Sequence, residues 1–249
     1  MISAGLLAAV AAVVGLFIGT VGVGGVLLIP FLVLLGGLGI HAAAATALFT
    51  FLFTGLLGSY LFQRRGSISW RLTLPVCAGA AVFGYVGSAA AARIEPHALT
   101  AVIAAIIIVA GVYIFLSPHA PGRALRDGHG AADLPLLLAV GAASGFGSGL
   151  SGAGGPLFSV PLMVILGFVP LAAVGASQVL QIVAALSGSA AGLQDGRIDF
   201  GIAAWVIGFE LAGLVAGVRL AHALSANVLR RMAAALCVAV GTFMLVRAL

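Results

Sequence analysis

The chain has 249 residues, of which 63% are hydrophobic and only 7% are Asp, Glu, Lys or Arg. A soluble domain carries about 25% charged residues, and so few charges cannot cover a surface that faces water. This composition excludes soluble enzymes and disordered linkers, and it predicts an integral membrane protein whose main partner is the lipid bilayer. The net charge of +5 comes from scattered Arg residues, and no basic run alternates with aromatics, so we expect no nucleic-acid partner.

Two long blocks, positions 1–63 and 134–194, contain no charged residue. A single straight helix of that length would measure about 95 Å, whereas the hydrocarbon core of a bilayer is about 30 Å thick. Each block must therefore fold back and supply about three passages or part-passages. Four more apolar runs accompany the blocks: Leu72–Ala92, Ala98–Leu116, Phe200–Val218 and Met232–Val246. The sequence thus predicts an all-α polytopic membrane protein with eight to ten segments, some of them broken or half-length.

The second half of the chain repeats the glycine pattern of the first half. At an offset of 130 positions, Gly15, Gly19, Gly22, Gly24 and Gly25 fall on Gly145, Gly149, Gly152, Gly154 and Gly155. A shift of one residue aligns Pro30 with Pro161, and the pair Ala45–Thr46 with Ala176–Ser177. We interpret this pattern as two homologous repeats of about five segments each, at 1–116 and 135–249, joined by a polar loop at 117–134.

The distribution of Arg residues predicts how the two repeats are oriented, because basic residues gather on the cytoplasmic side. If all five segments of each half cross, eight Arg residues share one side and three face the other. The N-terminus then lies outside and the repeats are inverted, a plan that recurs in transporters. Four crossings per half give a 7:4 division and parallel repeats. The Arg count therefore favours inversion.

The glycine clusters predict a break in the helix at the same place in each repeat. Clustered glycines interrupt helices, and broken backbone at membrane depth occurs where protein buries it or water lines it. A half-helix that starts after such a break presents unpaired N–H groups, which favour an anion. The alternative is close helix packing through small residues. The candidate ligands from the clusters are Gly22, Gly24, Gly25, Gly152, Gly154 and Gly155.

One segment, Gly147–Gly152, matches GxGxxG by composition alone. A dinucleotide site requires a preceding strand and an acidic residue about 20 positions later. Neither is present in this apolar block, so we expect no nucleotide and no other cofactor.

The chain resembles the TauE/SafE sulfite exporter family, also called the toluenesulfonate uptake permease family. The resemblance rests on the doubled glycine-rich motif, the short apolar run and Pro that follow it, and the Ala-Thr or Ala-Ser pair. It covers both halves and the central loop. The resemblance implies secondary transport of a small sulfur-containing anion, such as sulfite or an organosulfonate, across the bacterial inner membrane.

Polar side chains follow each glycine cluster. Thr46 lies in the first half, and Ser177, Gln178 and Gln181 lie in the second. Amides in an apolar helix need partners, so they donate either to an anion in a cavity or to a neighbouring helix. Thr50 is expected to bond its own backbone.

Glu210 is the only acidic residue inside a predicted membrane segment. Ionisable groups at membrane depth are expensive and mark functional sites. A carboxyl that is kept neutral by its apolar surroundings can carry the proton of a coupled transporter. The equal alternatives are a structural role, in which the carboxyl pairs with a buried donor, and a position at the membrane interface.

The predicted function is therefore a proton-coupled secondary transporter of a small anion, with no catalytic activity. An intramembrane enzyme would need paired acids, a Ser–His arrangement or HExxH, which the chain does not offer. The alternative function is a channel, or a carrier for another small ion such as a metal cation. Cations prefer carboxylates or thiolates, and a single Glu with two distant Cys residues gives this alternative little support; we expect no resident metal.

Overall fold

The computed structural model of the protein describes residues 2–22, 24–91, scattered helical positions from 101 to 115, and residues 133–151, 154–194 and 198–248. Helices dominate these ranges, and turns of a few residues separate several of them. In chain order they are α1 (Ile2–Val21), α2 (Gly25–Leu34), α3 (Ile40–Arg64), α4 (Trp70–Ala91), α5 (Asp133–Ser151), α6 (Pro156–Ile165), α7 (Pro170–Gln194), α8 (Phe200–Ala223) and α9 (Ala226–Ala248).

The described helices fall into two length classes. α2 and α6 have 10 residues each, or about 15 Å, which is half the thickness of the hydrocarbon core. The other helices have 19 to 25 residues. Within the described part of the chain, three segments combine the length and apolar composition needed to cross a membrane: Ala45–Arg64, Phe200–Ala223 and Ala226–Phe243. The predicted helical character and the presence of apolar spans are confirmed.

The helix boundaries recur along the chain at a nearly constant spacing. α2 and α6 differ by 131 positions at both ends, and α3 and α7 differ by 130 at both ends. α4 and α8 begin 130 positions apart. This spacing equals the offset at which the glycines of the sequence align.

Glycines bring α1 into backbone contact with α8. A Cβ added at Gly15 would overlap the backbone of Glu210, and one added at Gly213 would overlap the carbonyl of Ala12. α5 meets α4 in the same manner, since Gly145 lies against the backbone of Ala80. The close-packing interpretation therefore holds for Gly15 and Gly145. In both pairs the helices run parallel, because residue numbers rise together along each contact.

α3 lies at the centre of the described core, between helices of the second half. It runs antiparallel to α7: Thr54 contacts Gln181, whereas Phe62, two turns later, lies beside Gly175. It runs parallel to α8, because hydrogen bonds join the two helices near both ends, from Asp199 to Thr46 and between Ser67 and His222. The functional candidates lie along these contacts.

Candidate functional site

The first glycine break lies against the second half of the chain. Gly22 has φ of 77°, a left-handed conformation that strains any residue with a Cβ. A Cβ added there would lie 2.7 Å from the Ser177 hydroxyl oxygen and 2.9 Å from a methyl carbon of Val160. Two predicted ligands, Gly22 and Ser177, are thus adjacent although they are far apart in sequence.

The second break also contains a left-handed glycine, at a position that aligns with Gly24 and not with Gly22, and it has different surroundings. Gly154 has φ of 87°, Gly155 caps the N-terminus of α6, and Pro156 occupies the first turn. A Cβ added at Gly155 would lie 2.9 Å from the Leu180 side chain, so this break packs on an apolar part of α7. Gly152 lies outside the described residues.

Both half-helices begin at these breaks with glycine caps. α2 is capped by Gly24, whose φ of 174° is extended, and its first turn begins at Gly25. Neither Gly24 nor Gly155 supplies a side-chain cap. Since the first N–H groups of a helix lack partners within the helix, and its N-terminus carries a partial positive charge, each break can stabilise an anion with backbone alone.

The two glutamines of α7 bond to helices of the first half. The side-chain nitrogen of Gln178 donates to the Ile18 carbonyl at 2.9 Å. The nitrogen of Gln181 donates to the Phe51 carbonyl at 3.2 Å and to the Thr54 hydroxyl at 2.8 Å. These bonds match the interhelical alternative. Gln181 donates both amide hydrogens to α3, whereas the side-chain carbonyl oxygen of Gln178 is buried and has no hydrogen-bond partner.

The predicted hydroxyl ligands are fully buried but differ in their bonds. Ser177 donates to the Val174 carbonyl at 2.7 Å, which leaves the lone pairs of its oxygen towards Gly22. Thr46 accepts the backbone N–H of Asp199 at 3.1 Å, so its own hydrogen stays available for another acceptor. In this conformation Thr46 is thus the better placed of the two to donate to an anion.

Glu210 lies in the middle of α8, with a side chain that is 0% exposed. Neither carboxyl oxygen has a hydrogen-bond partner. Thr50 of α3 is its polar neighbour, but the Thr50 hydroxyl donates to the Ala47 carbonyl at 2.9 Å. That bond confirms the expected self-bonding of Thr50.

Sequence reasoning missed three polar contacts around α3. Thr54 accepts from Gln181, and Asp199 caps α8 by accepting the Ile202 N–H at 2.9 Å. Ser67 lies 2.8 Å from the Nε2 atom of His222. An Asp just before an apolar run is a recognisable cap signal. The other two contacts join residues more than 120 positions apart, so no local pattern signals them.

One family model and one curated relative match the chain over most of its length. The family model described as "Sulfite exporter TauE/SafE" matches residues 6–244. A curated relative, the "Probable membrane transporter protein YdhB" of Bacillus subtilis (strain 168), is 28% identical over 224 residues, which cover 87% of this chain and 89% of the relative. No solved structure matches the chain.

Proposed function

Because the chain belongs to the TauE/SafE sulfite exporter family of multi-pass membrane transporters, we propose that it moves a small sulfur-containing anion across the bacterial inner membrane. The cargo is sulfite, sulfoacetate or another organosulfonate, and a proton drives the movement. The observation that carries this proposal is the contact between Gly22 at the first helix break and the buried Ser177 of the other half.

The proposed site holds the anion with neutral groups. The N-terminus of α2 supplies backbone N–H groups at Gly24 and Gly25, and Thr46 supplies a hydroxyl hydrogen. Gly154 and Gly155 begin the second half-helix, and Gly152 belongs to the same cluster. Ser177, Gln178 and Gln181 complete the site by exchanging their present backbone bonds for bonds to the anion. Without a fixed cation in the site, binding is modest, and a carrier that must release its cargo benefits from that.

The site belongs between two inverted repeats, at 1–116 and 135–249, with 117–134 as the polar loop. The spacing of helix boundaries supports the repeats. The helix directions support inversion. α3 and α4 are joined by residues 65–69 alone, so two long helices must reverse direction there, and α8 is the counterpart of α4. Since α8 runs parallel to α3, it runs opposite to α4. Alternating access then follows from one set of helices moving against the other.

Glu210 is the proposed proton carrier. It is a buried, unpaired carboxyl on a helix that also bonds to Thr46 through Asp199. Its counterpart in the first repeat is Ala80, which makes the coupling site a feature of one repeat only. A carboxyl there is charged only transiently, since the desolvation of an ion is expensive.

Flux measurements in proteoliposomes test the proposed cargo. Purified protein is reconstituted, and the uptake of sulfite, sulfoacetate, sulfate and chloride is compared with that of protein-free vesicles, with and without an imposed pH gradient. We expect saturable, gradient-dependent flux of sulfite or a sulfonate, with sulfate and chloride slower. Flux of chloride or of a divalent cation, with no flux or binding of sulfur oxyanions, would contradict the proposal and favour the other-ion alternative.

A further inference from the structure

Gln178 of α7 lies where three helices meet. Its side chain is 0% exposed, and its nitrogen donates to the Ile18 carbonyl of α1 at 2.9 Å. On its other side lies Gly58 of α3. A Cβ added at Gly58 would overlap the side-chain oxygen of Gln178 and would lie 3.0 Å and 3.2 Å from its Cδ and Cγ atoms. The three nearest atoms thus all belong to Gln178, so the missing side chain of Gly58 leaves the space that the amide occupies.

The contact with α1 decides which way round the amide lies. A carbonyl oxygen only accepts hydrogen bonds, so the Ile18 carbonyl requires the nitrogen of Gln178 on that side. The oxygen of the planar amide then faces Gly58, which offers it no side-chain donor, and it has no hydrogen-bond partner. An unpaired buried acceptor destabilises a fold. An apolar side chain would fill this position without that penalty, which argues that the nitrogen end of the amide is what the position requires.

The Ile18 carbonyl also connects the amide to the first helix break. It accepts the backbone N–H of Gly22 at 3.1 Å as well as the Gln178 nitrogen at 2.9 Å. Two donors that share one acceptor lie within about 6 Å of each other. Ser177, the residue before Gln178, contacts Gly22 as well. The amide nitrogen is therefore beside the break at which the proposed anion binds.

The two glutamines of α7 differ in how they can bind an anion. An amide nitrogen carries two hydrogens. Gln181 donates to the Phe51 carbonyl at 3.2 Å and to the Thr54 hydroxyl at 2.8 Å, so it must release one of these groups before it binds anything else. The bond from Gln178 to Ile18 takes one hydrogen. Gln178 can therefore bind an anion with the second hydrogen and keep its bond to α1.

We propose that Gly58 is a positioning residue for the anion, because it leaves room for a Gln178 amide that holds Ile18 with one hydrogen and binds the cargo with the other. The inference rests on the proposed function, in which Gln178 is a ligand of a sulfur oxyanion. A side chain at position 58 displaces the amide oxygen from α3. Since the amide is planar and rigid, its nitrogen moves as well. Gly58 thus controls anion binding without touching the anion.

The affinity of Gly58→Ala for sulfite and sulfoacetate tests the proposal. The added methyl group displaces the amide, and the loss of one hydrogen bond to an anion is expected to weaken binding by about tenfold or more. Isothermal titration of purified protein in detergent measures this. The matched control is Gly84→Ala, also inside a long helix, where an added Cβ would lie at an ordinary contact distance of 3.7 Å from the Gly145 carbonyl oxygen. Its affinity should equal that of the wild type.

Removal of the amide separates this role from simple packing of α3. Gln178→Ala should also weaken binding about tenfold. Adding Gly58→Ala to that variant should weaken binding by less than about twofold more, because the atoms that the methyl group would meet are gone. Equal losses in the two backgrounds would make Gly58 a packing residue and overturn the proposal. Wild-type affinity in Gly58→Ala or in Gln178→Ala would overturn it as well.

A second readout needs no cargo. The chain has four glutamines, so isotope labelling of the glutamine side-chain nitrogen gives a simple magnetic resonance spectrum. The Gln178 signals, identified by their absence in Gln178→Ala, should shift in Gly58→Ala and stay in place in Gly84→Ala. Unmoved signals in Gly58→Ala overturn the contact between Gly58 and the amide. If the signals shift but the wild-type protein binds neither sulfite nor sulfoacetate, the proposed function fails together with the ligand role of Gln178, while the contact stands.

Discussion

Glu210 combines two features that normally exclude each other in a membrane helix. Its backbone lies where α1 and α8 are in backbone contact, against Gly15, while its carboxyl is buried with no hydrogen-bond donor. A charged carboxylate in such surroundings is penalised by several kcal/mol. A residue that is retained only for packing would be better served by an apolar side chain of the same size, and this argues for a role in which its charge changes.

The substitution Glu210→Gln separates proton coupling from anion binding. Gln has nearly the same shape and cannot titrate, so we expect uptake driven by a pH gradient to fall to the background of empty vesicles. Exchange of labelled for unlabelled anion should persist at a similar rate, because exchange needs no net proton movement. Both activities are measured in the same vesicle preparation, which serves as its own folding control. Gradient-driven uptake at the wild-type rate would contradict the coupling role.

At the scale of the helix, the first break combines a left-handed glycine with a close contact to other helices. Gly22 has a positive φ and also faces Ser177 and Val160. Gly37 has a similar φ of 68°, but a Cβ added there would meet nothing within 4 Å. The two glycines therefore allow the contact to be tested apart from the backbone strain.

We expect Gly22→Ala and Gly37→Ala to cause similar backbone strain but to differ in their effect on anion binding. Each alanine in a left-handed conformation destabilises the fold by about 1–2 kcal/mol. Only the alanine at 22 also displaces Ser177, so we expect the affinity for sulfite or sulfoacetate to fall by about tenfold or more, equivalent to about 1.4 kcal/mol. Isothermal titration and thermal unfolding of both variants provide the measurement. Equal affinities in the two variants would reduce Gly22 to a packing residue.

At this scale, the sequence predicts features that depend on neighbouring residues, and it does not predict contacts between residues far apart in the chain. The breaks near Gly22 and Gly154 and the self-bond of Thr50 depend on a few neighbouring residues, and the sequence predicts them. The bonds of Gln181 to Phe51 and Thr54 join residues 130 and 127 positions apart. Nothing local tells an amide that donates to an anion from one that donates to a distant helix. Only the fold decides between them for a given conformation.

At the scale of the whole molecule, inverted repeats predict on which side of the membrane the start of each helix lies. Gly39 and Val169 precede α3 and α7 at equivalent positions. In inverted repeats they lie on opposite sides, and in parallel repeats they lie on the same side. With Cys77 and Cys237 replaced by Ala, we expect Gly39→Cys and Val169→Cys to react with an impermeant maleimide from opposite faces of oriented vesicles.

A second pair of positions provides the control for that labelling. Gln63 near the end of α3 and Asn227 at the start of α9 are both exposed. The parallel course of α3 and α8 places these positions on one side, so Gln63→Cys and Asn227→Cys should react from the same face. Reaction of Gly39→Cys and Val169→Cys from one face, with the control pair behaving as expected, would establish parallel repeats.

The backbone contact between α1 and α8 also bears on how the protein is made. Glu210 follows Gly15 by 195 positions, and ribosomes add about 5–20 residues per second. α1, with Gly15 and Gly19, is therefore in the bilayer for about 10–40 s before α8, the helix that packs against these glycines, is synthesised. Among the described residues, it is α8 that packs against Gly15 and Gly19. The assembly of the first half must be completed by the last-made helices, and a chain truncated before α8 is expected to stay a substrate for membrane chaperones and proteases.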